Sequence, residues 1–276
     1  MISLRQAALV AGAVLVSACT LALAQPNAGA NRPPSAPDTE EQRIADLVLA
    51  SRILFNEGVL DSFGHVSVRS LKDPTHFFMP RAMPPALVTA KDIVELNLES
   101  VPIDPNAPRT NGERFIHSEI YKARPDVQAI AHTHSPTVVP FSLTPNRPLR
   151  PVIHTAGFLP EKVSVFDLRS VSRNDPSQRG KLLVSNSILG AALAKTLGQD
   201  TVVLIRGHGN VVVGETLPWT VLRAVYTQIN ARTLLDALTI DKDVVYLNDD
   251  EIKYHVNELA PDRPWENFKA RLPKTP

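Results

Sequence analysis

Ala129-Ile130-Ala131-His132-Thr133-His134-Ser135-Pro136 is the stretch on which the reading turns. The apolar run Val127 to Ala131 reads as a buried strand ending in His-x-His. Side chains alternate faces along a strand, so His132 and His134 point the same way, about 7 Å apart at Cα. Two imidazoles at that spacing can lean onto one divalent cation, which takes ring nitrogens at about 2.0–2.1 Å if it is zinc. His-x-His alone is a weak signal, because two polar strand-end residues satisfy it equally well. A third histidine in an unusual setting strengthens it. Leu204-Ile205-Arg206-Gly207-His208-Gly209-Asn210-Val211-Val212-Val213-Gly214 reads as strand, tight turn, strand, with His208 between two glycines at the bend.

The chain has 276 residues, 43% hydrophobic and 21% charged, with a formal charge of +1. That suits one large or two small globular domains with a core independent of disulfides or structural metals. No run of Lys or Arg makes an electrostatic case for nucleic acid or an anionic membrane. Arg5, an apolar run from Ala7 to Ala18, and Ala22-Leu23-Ala24 before Gln25 read as a cleaved export signal over 1–24, predicting an exported or periplasmic protein. Val16-Ser17-Ala18-Cys19 offers a rival, a lipoprotein box that would tether the chain through Cys19. Cys19 is the only cysteine, so either processing leaves no intramolecular disulfide. Residues 25–37 read as a Pro-rich mobile leader and 38–276 as a single domain.

Asp38 with Glu41 reads as a helix N-cap, followed by an inner face of Ile44, Leu47, Val48, Ser51, Leu54 and Phe55 and a stop at Gly58. Strands are expected at Phe63–Arg69, Thr75–Met79, Ile93–Leu98 and Val163–Leu168. Helices are expected over Asn111–Arg124, stopped by Pro125; over Ser185–Leu197, with Ile188, Ala191, Ala192 and Lys195 at helical spacing; and over Trp219–Leu238, with Val221, Leu222, Val225, Ile229 and Leu234 on or near its inner face. The last forty residues mix polar turns with one short helix. Short turns between several strands predict a mixed, largely antiparallel sheet.

Glu113 lies at a loop-to-helix junction, where backbone N–H groups and the helix dipole favour a carboxylate. It reads equally as a capping residue on a solvated face or as a fourth ligand or general base. His117, one turn on, reads as packed or hydrogen-bonded.

Gly64-x-Val66-Ser67-Val68-Arg69, Glu113 with the helix ending Tyr121-Lys122-Ala123-Arg124-Pro125-Asp126-Val127, His132-Thr133-His134 and His208-Gly209 together resemble the class II aldolase/adducin family, from about Asp38 to Leu238. The resemblance implies an α/β fold, a three-layer α/β/α sandwich around a mixed, mainly antiparallel sheet. It also implies a homotetramer with metal sites near subunit interfaces. It makes His132, His134 and His208 metal ligands, and Glu113 the acidic residue that alternates between metal and substrate. Three neutral nitrogens suit zinc or manganese, and also iron or cobalt.

Sugar-phosphate aldolases of that family grip phosphate with an Asn after the first glycine, a Thr-Gly pair and a Ser-Ser pair before the glutamate. Here those places carry His65, Arg81 and Asn111-Gly112, and the aldolases' catalytic tyrosine has only His154 as a polar counterpart. An arginine offers a fork to a carboxylate, and a histidine can donate or change charge. The stretches around Asp61–Arg69, Ala86–Thr89, Glu113–His117 and Arg206–Gly209 resemble the branch of metal-dependent decarboxylases acting on hydroxylated aromatic or pyridine carboxylic acids. The expected activity is therefore non-oxidative C–C cleavage of a small hydroxy carboxylate. Arg81, His65 and Asn111 would hold the acid, and Glu113, His65 or His154 would move the proton. An aldolase or epimerase of a non-phosphorylated hydroxy-keto acid or sugar, and a non-catalytic adducin-like scaffold, are the alternatives.

Overall fold

The computed structural model describes residues 39–273; the export-signal, Cys19, leader and Asp38 expectations lie outside them. The elements run α1 (Glu40–Asn56), β1 (His65–Arg69), β2 (His76–Pro80), β3 (Ile93–Asn97), α2 (Arg114–Ala123), β4 (Ala129–Thr133), α3 (Val139–Leu143), β5 (Ser164–Phe166), α4 (Arg169–Ser172), α5 (Ser187–Leu197), β6 (Val202–Ile205), β7 (Gly209–Gly214), α6 (Leu217–Ile240), α7 (Asp249–Glu258) and α8 (Asp262–Arg271). The seven strands form one sheet in the order β3-β2-β1-β4-β7-β6-β5, antiparallel except for the β5–β6 pair. This is the mixed, mainly antiparallel sheet expected of the fold class.

Two apolar layers sandwich the sheet, and the period-2 alternation of the strands assigns each residue to one of them. Val66, Val68, Ala129, Ala131 and Val212 pack with Leu47 and Leu54 of α1 and Val221 and Leu234 of α6. Phe77, Ile130, Val203, Val211 and Val213 pack with Ile116 and Ile120 of α2 and Leu189 and Leu193 of α5. On the residues that alternate with Val66 and Ala131, His65 and His132 therefore face the α2 side. The β1–β4 register puts them directly opposite each other.

Several boundaries and faces differ from expectation. Thr39 caps α1, its hydroxyl accepting from Gln42 N. Phe55 and Ile229 are exposed, on the outer edges of their helices. The α2 helix starts three residues later than read, because the Asn111 side chain accepts from Glu113 N at 2.9 Å and holds the chain in a turn. The α5 helix buries Leu189, Gly190, Leu193, Ala194 and Leu197, while Ile188 is 52% exposed. Gly190 sets that face: a Cβ there would lie 2.5 Å from the Phe115 carbonyl of α2, so the helices meet where no side chain intervenes. The C-terminal part holds two helices, α7 and α8, where one was read. Among the described residues no helix is long and apolar enough to cross a membrane.

Candidate metal centre

The centre forms where the end of β4, the β6–β7 turn and the start of α2 meet. His132 is the penultimate residue of β4, and His134 lies just beyond its end. The turn carrying His208 is held by Gly207 at φ +63° and by the hydroxyl of Ser142, which accepts from Gly207 N at 2.9 Å. Gly209 permits the approach of the two strands: a Cβ on it would fall 1.9 Å from the Thr133 carbonyl oxygen. The glycines flanking His208 thus bring its ring against the 132/134 pair.

His134 Nε2 stands 3.1 Å from His132 Nε2 and 3.0 Å from His208 Nε2. Glu113 Oε2 lies 3.5 Å from the Nε2 atoms of both His132 and His208. One ligand atom from each of Glu113, His132, His134 and His208 falls within 4.8 Å of all the others. The opposite ring nitrogens reveal what faces inward. His132 Nδ1 lies 3.2 Å from the Asn210 carbonyl oxygen, and His134 Nδ1 lies 3.0 and 3.1 Å from the two Asp61 carboxylate oxygens. Those partners only accept, so each Nδ1 carries the proton and each Nε2 presents a lone pair. Two lone pairs 3.1 Å apart repel unless a cation lies between them. A cation bonded at about 2.0–2.1 Å needs donor nitrogens roughly 3 Å from each other, so the donor set fits a divalent metal.

Glu113 occupies the N-cap position of α2 and is buried, with Oε1 accepting from Val184 N at 2.8 Å. Burial opposes its charge, and the hydrogen bond from Val184 N favours it. Asp61 also accepts from Phe63 N and Gly64 N; burial opposes its charge, and these bonds and His134 keep its carboxyl below the ordinary value. Sequence reasoning quoted Asp61 without giving it a role. No local pattern marks it, because its partner His134 is 73 residues away in the chain.

A cavity of about 780 Å3 opens over the centre, lined by His134, His208, Glu113, Asn111, Arg109, Phe63, Met83, Pro84 and Leu183, among others. Arg109, which the sequence reading passed over, makes no ion pair among the described residues. A side recess shares Met83 and Asn111 with this cavity and is lined by His65 and Arg81. Arg81 Nε donates to Asp92 Oδ1 at 2.8 Å, which steers the guanidinium. Of the sequence-derived candidates, His154 alone is not brought here. It is exposed, with its ring 5.5 Å from that of His255, and lines neither cavity nor recess.

Residues 45–235 match the Class II Aldolase and Adducin N-terminal domain. The chain belongs to this family. It is 37% identical over 207 residues to the Decarboxylase tropJ of Talaromyces stipitatus, a match covering 71% of this chain and 77% of that one. It is 29% identical over 192 residues to the 3,4-dihydroxyphthalate decarboxylase of Arthrobacter keyseri, covering 65% and 72%. Among solved structures, an L-fuculose 1-phosphate aldolase from Glaciozyma antarctica superposes with a TM-score of 0.69 over 87% of this chain and 94% of that one, at 24% identity. At that identity the likeness is one of fold.

Proposed function

We propose that this class II aldolase-type lyase is a divalent-metal-dependent, non-oxidative decarboxylase of a hydroxylated aromatic or heteroaromatic carboxylic acid. One observation carries the reading: two imidazoles whose tautomers are set by outer partners, and a third from a distant turn, converge on one point beneath a cavity with largely apolar walls. The two decarboxylase relatives support it. A non-catalytic scaffold would leave that convergence unexplained.

His132, His134 and His208 would hold the metal, with Glu113 at hand as a further oxygen ligand. When bound, a divalent ion supplies Lewis acidity toward a substrate hydroxyl. Phe63, Met83, Pro84 and Leu183 offer apolar surface to a ring and exclude water from its faces. Arg81, Asn111 and His65, grouped at the recess, would receive the acid's carboxylate. Glu113, kept ionised, would take the proton of the hydroxyl. Loss of CO2 leaves the bonding pair on the ring carbon, delocalised toward the adjacent oxygen, and the proton held by Glu113 takes the place of the carboxyl group. The same reading takes the protein as an exported homo-oligomer, a tetramer by family resemblance. Mass spectrometry of the mature N-terminus and light scattering test those two points.

The deciding assay offers ortho-hydroxy aromatic acids and hydroxy-keto acids to protein loaded with zinc, manganese, iron or cobalt, and measures CO2 against aldehyde. CO2 from an aromatic acid is expected; aldehyde without CO2 would transfer the protein to the aldolases. Arg81→Ala should raise KM for the acid about tenfold with little change in kcat, and unaltered kinetics would end its role as the carboxylate anchor.

A further inference from the structure

Behind the recess, a line of buried polar side chains runs away from the centre into the core. Strand positions 65 and 67 face α2, and helix positions 117 and 121, one turn apart, face them in return. His65 Nδ1 lies 2.7 Å from His117 Nε2, His117 Nδ1 lies 2.6 Å from Ser67 Oγ, and Ser67 Oγ lies 2.8 Å from the Tyr121 hydroxyl. All four side chains are buried. Phe77 stacks on His117 at an interplanar angle of 12° and leans on Tyr121, which restrains both rings.

We propose that Tyr121, Ser67 and His117 form a one-way hydrogen-bond chain that fixes His65 as its Nε2–H tautomer, so that the recess presents an N–H donor to a substrate carboxylate oxygen. The direction is set at the far end. Tyr121 has one proton to give, and its two neighbouring acceptors are Ser67 Oγ at 2.8 Å and the Gln128 carbonyl oxygen at 3.5 Å. That carbonyl already accepts from Arg69 N at 2.8 Å. The short contact wins, so Tyr121 donates to Ser67 and Ser67 donates to His117 Nδ1. His117 Nε2–H then donates to His65 Nδ1, leaving the remaining proton on His65 Nε2.

His65 Nε2 is buried and has no partner within the described protein. A buried N–H left unpaired is costly, and the recess it lines, about 10 Å3, has room for one water-sized oxygen. Arg81 and Asn111 line the same recess, so the group that fits is an acceptor carrying negative charge. Burial pushes the Tyr121 phenol up, so it keeps the proton that starts the chain. His117, Ser67 and Tyr121 are therefore positioning residues, acting through His65. The inference rests on the decarboxylase reading only for the identity of the oxygen.

Long-range 1H–15N correlation spectra of the purified protein, labelled with [15N]histidine, read which ring nitrogen of His65 carries the proton; His65→Gln assigns the signal. The expected result is a protonated Nε2 and a bare Nδ1. Tyr121→Phe and Ser67→Ala should convert His65 to a tautomer mixture and raise KM for the acid about tenfold, with kcat within about twofold. His117→Gln, whose amide can still donate to His65 Nδ1, should keep the tautomer, whereas His117→Leu should not. A proton on His65 Nδ1 in the unaltered protein would overturn the proposal even if the Tyr121, Ser67 and His117 variants fail to fold, as would an unchanged tautomer in both Tyr121→Phe and Ser67→Ala. The expected tautomer without decarboxylation of any acid would uphold the chain and reject the substrate reading instead.

Discussion

Truncating Asp61 removes the carboxylate that accepts from His134 Nδ1 and leaves that ring free to turn and to change tautomer. Partners of this kind set the basicity and aim of a metal-binding histidine, and their loss typically weakens metal affinity by about 10–100-fold. Asp61→Ala should show that loss in competition titrations against a zinc chelator, while leaving the fold's circular dichroism unchanged. An unaltered affinity would mean that the Asp61–His134 bond does not orient the ring. At this scale the sequence was readable where spacing implies geometry. His132, His134, His208 and Glu113 could be singled out because strand alternation, a glycine-flanked turn and a helix start each constrain one side chain. Asp61 and the His65–His117–Ser67–Tyr121 line could not, because their partners are joined by β1–β4 pairing and by α2 docking. Those contacts are long-range and leave no local pattern.

Gly209 shows how an element is placed by one residue. The β4–β7 pair aligns His132 with Val211 and Thr133 with Asn210, and the turn before β7 delivers His208. With a Cβ falling 1.9 Å from the Thr133 carbonyl, Gly209→Ala forces the strands apart. The cost should reach the upper end of the roughly 1–3 kcal/mol typical of overpacking, a fall in Tm of roughly 6–12 °C. Calorimetry checks it, and a Tm within about 1 °C of the parent would show that the strands have slack the geometry denies. Strand positions were legible because β1 alternates polar and apolar residues, and β2, β3, β4, β6 and β7 carry short apolar runs bounded by turn residues. The inner face of α5 was not. In Ser187–Leu197 apolar residues cover most of the circumference, so periodicity could not choose between Ile188 and Leu189, and the choice fell to Gly190 against α2.

Across the whole molecule, two apolar layers enclose a sheet whose α2-facing side carries buried imidazoles, and that arrangement ties stability to pH. Burial, with the neighbouring His132, holds His117 down from the ordinary 6.5 to about 3. Between those values the unfolded chain binds a proton that the folded chain refuses, so stability is complete above about 6.5 and is lost as pH falls toward about 3. In chelator, where metal loss cannot contribute, the urea midpoint should drop between pH 7.5 and 5. His117→Gln should shrink that drop, and a midpoint independent of pH would contradict the buried neutral imidazole. The layered architecture was legible from the alternation of strand and helix patterns, but which helices share a face was not, since α1 and α6 are far apart in sequence and meet only in the fold. The account stands most directly on the metal content of gently purified protein, measured per chain by mass spectrometry after dialysis against each candidate ion. It predicts about one divalent ion per chain in the parent and almost none in His208→Ala with its fold intact. A parent that binds no added metal, or a His208→Ala variant that holds as much as the parent, would contradict it.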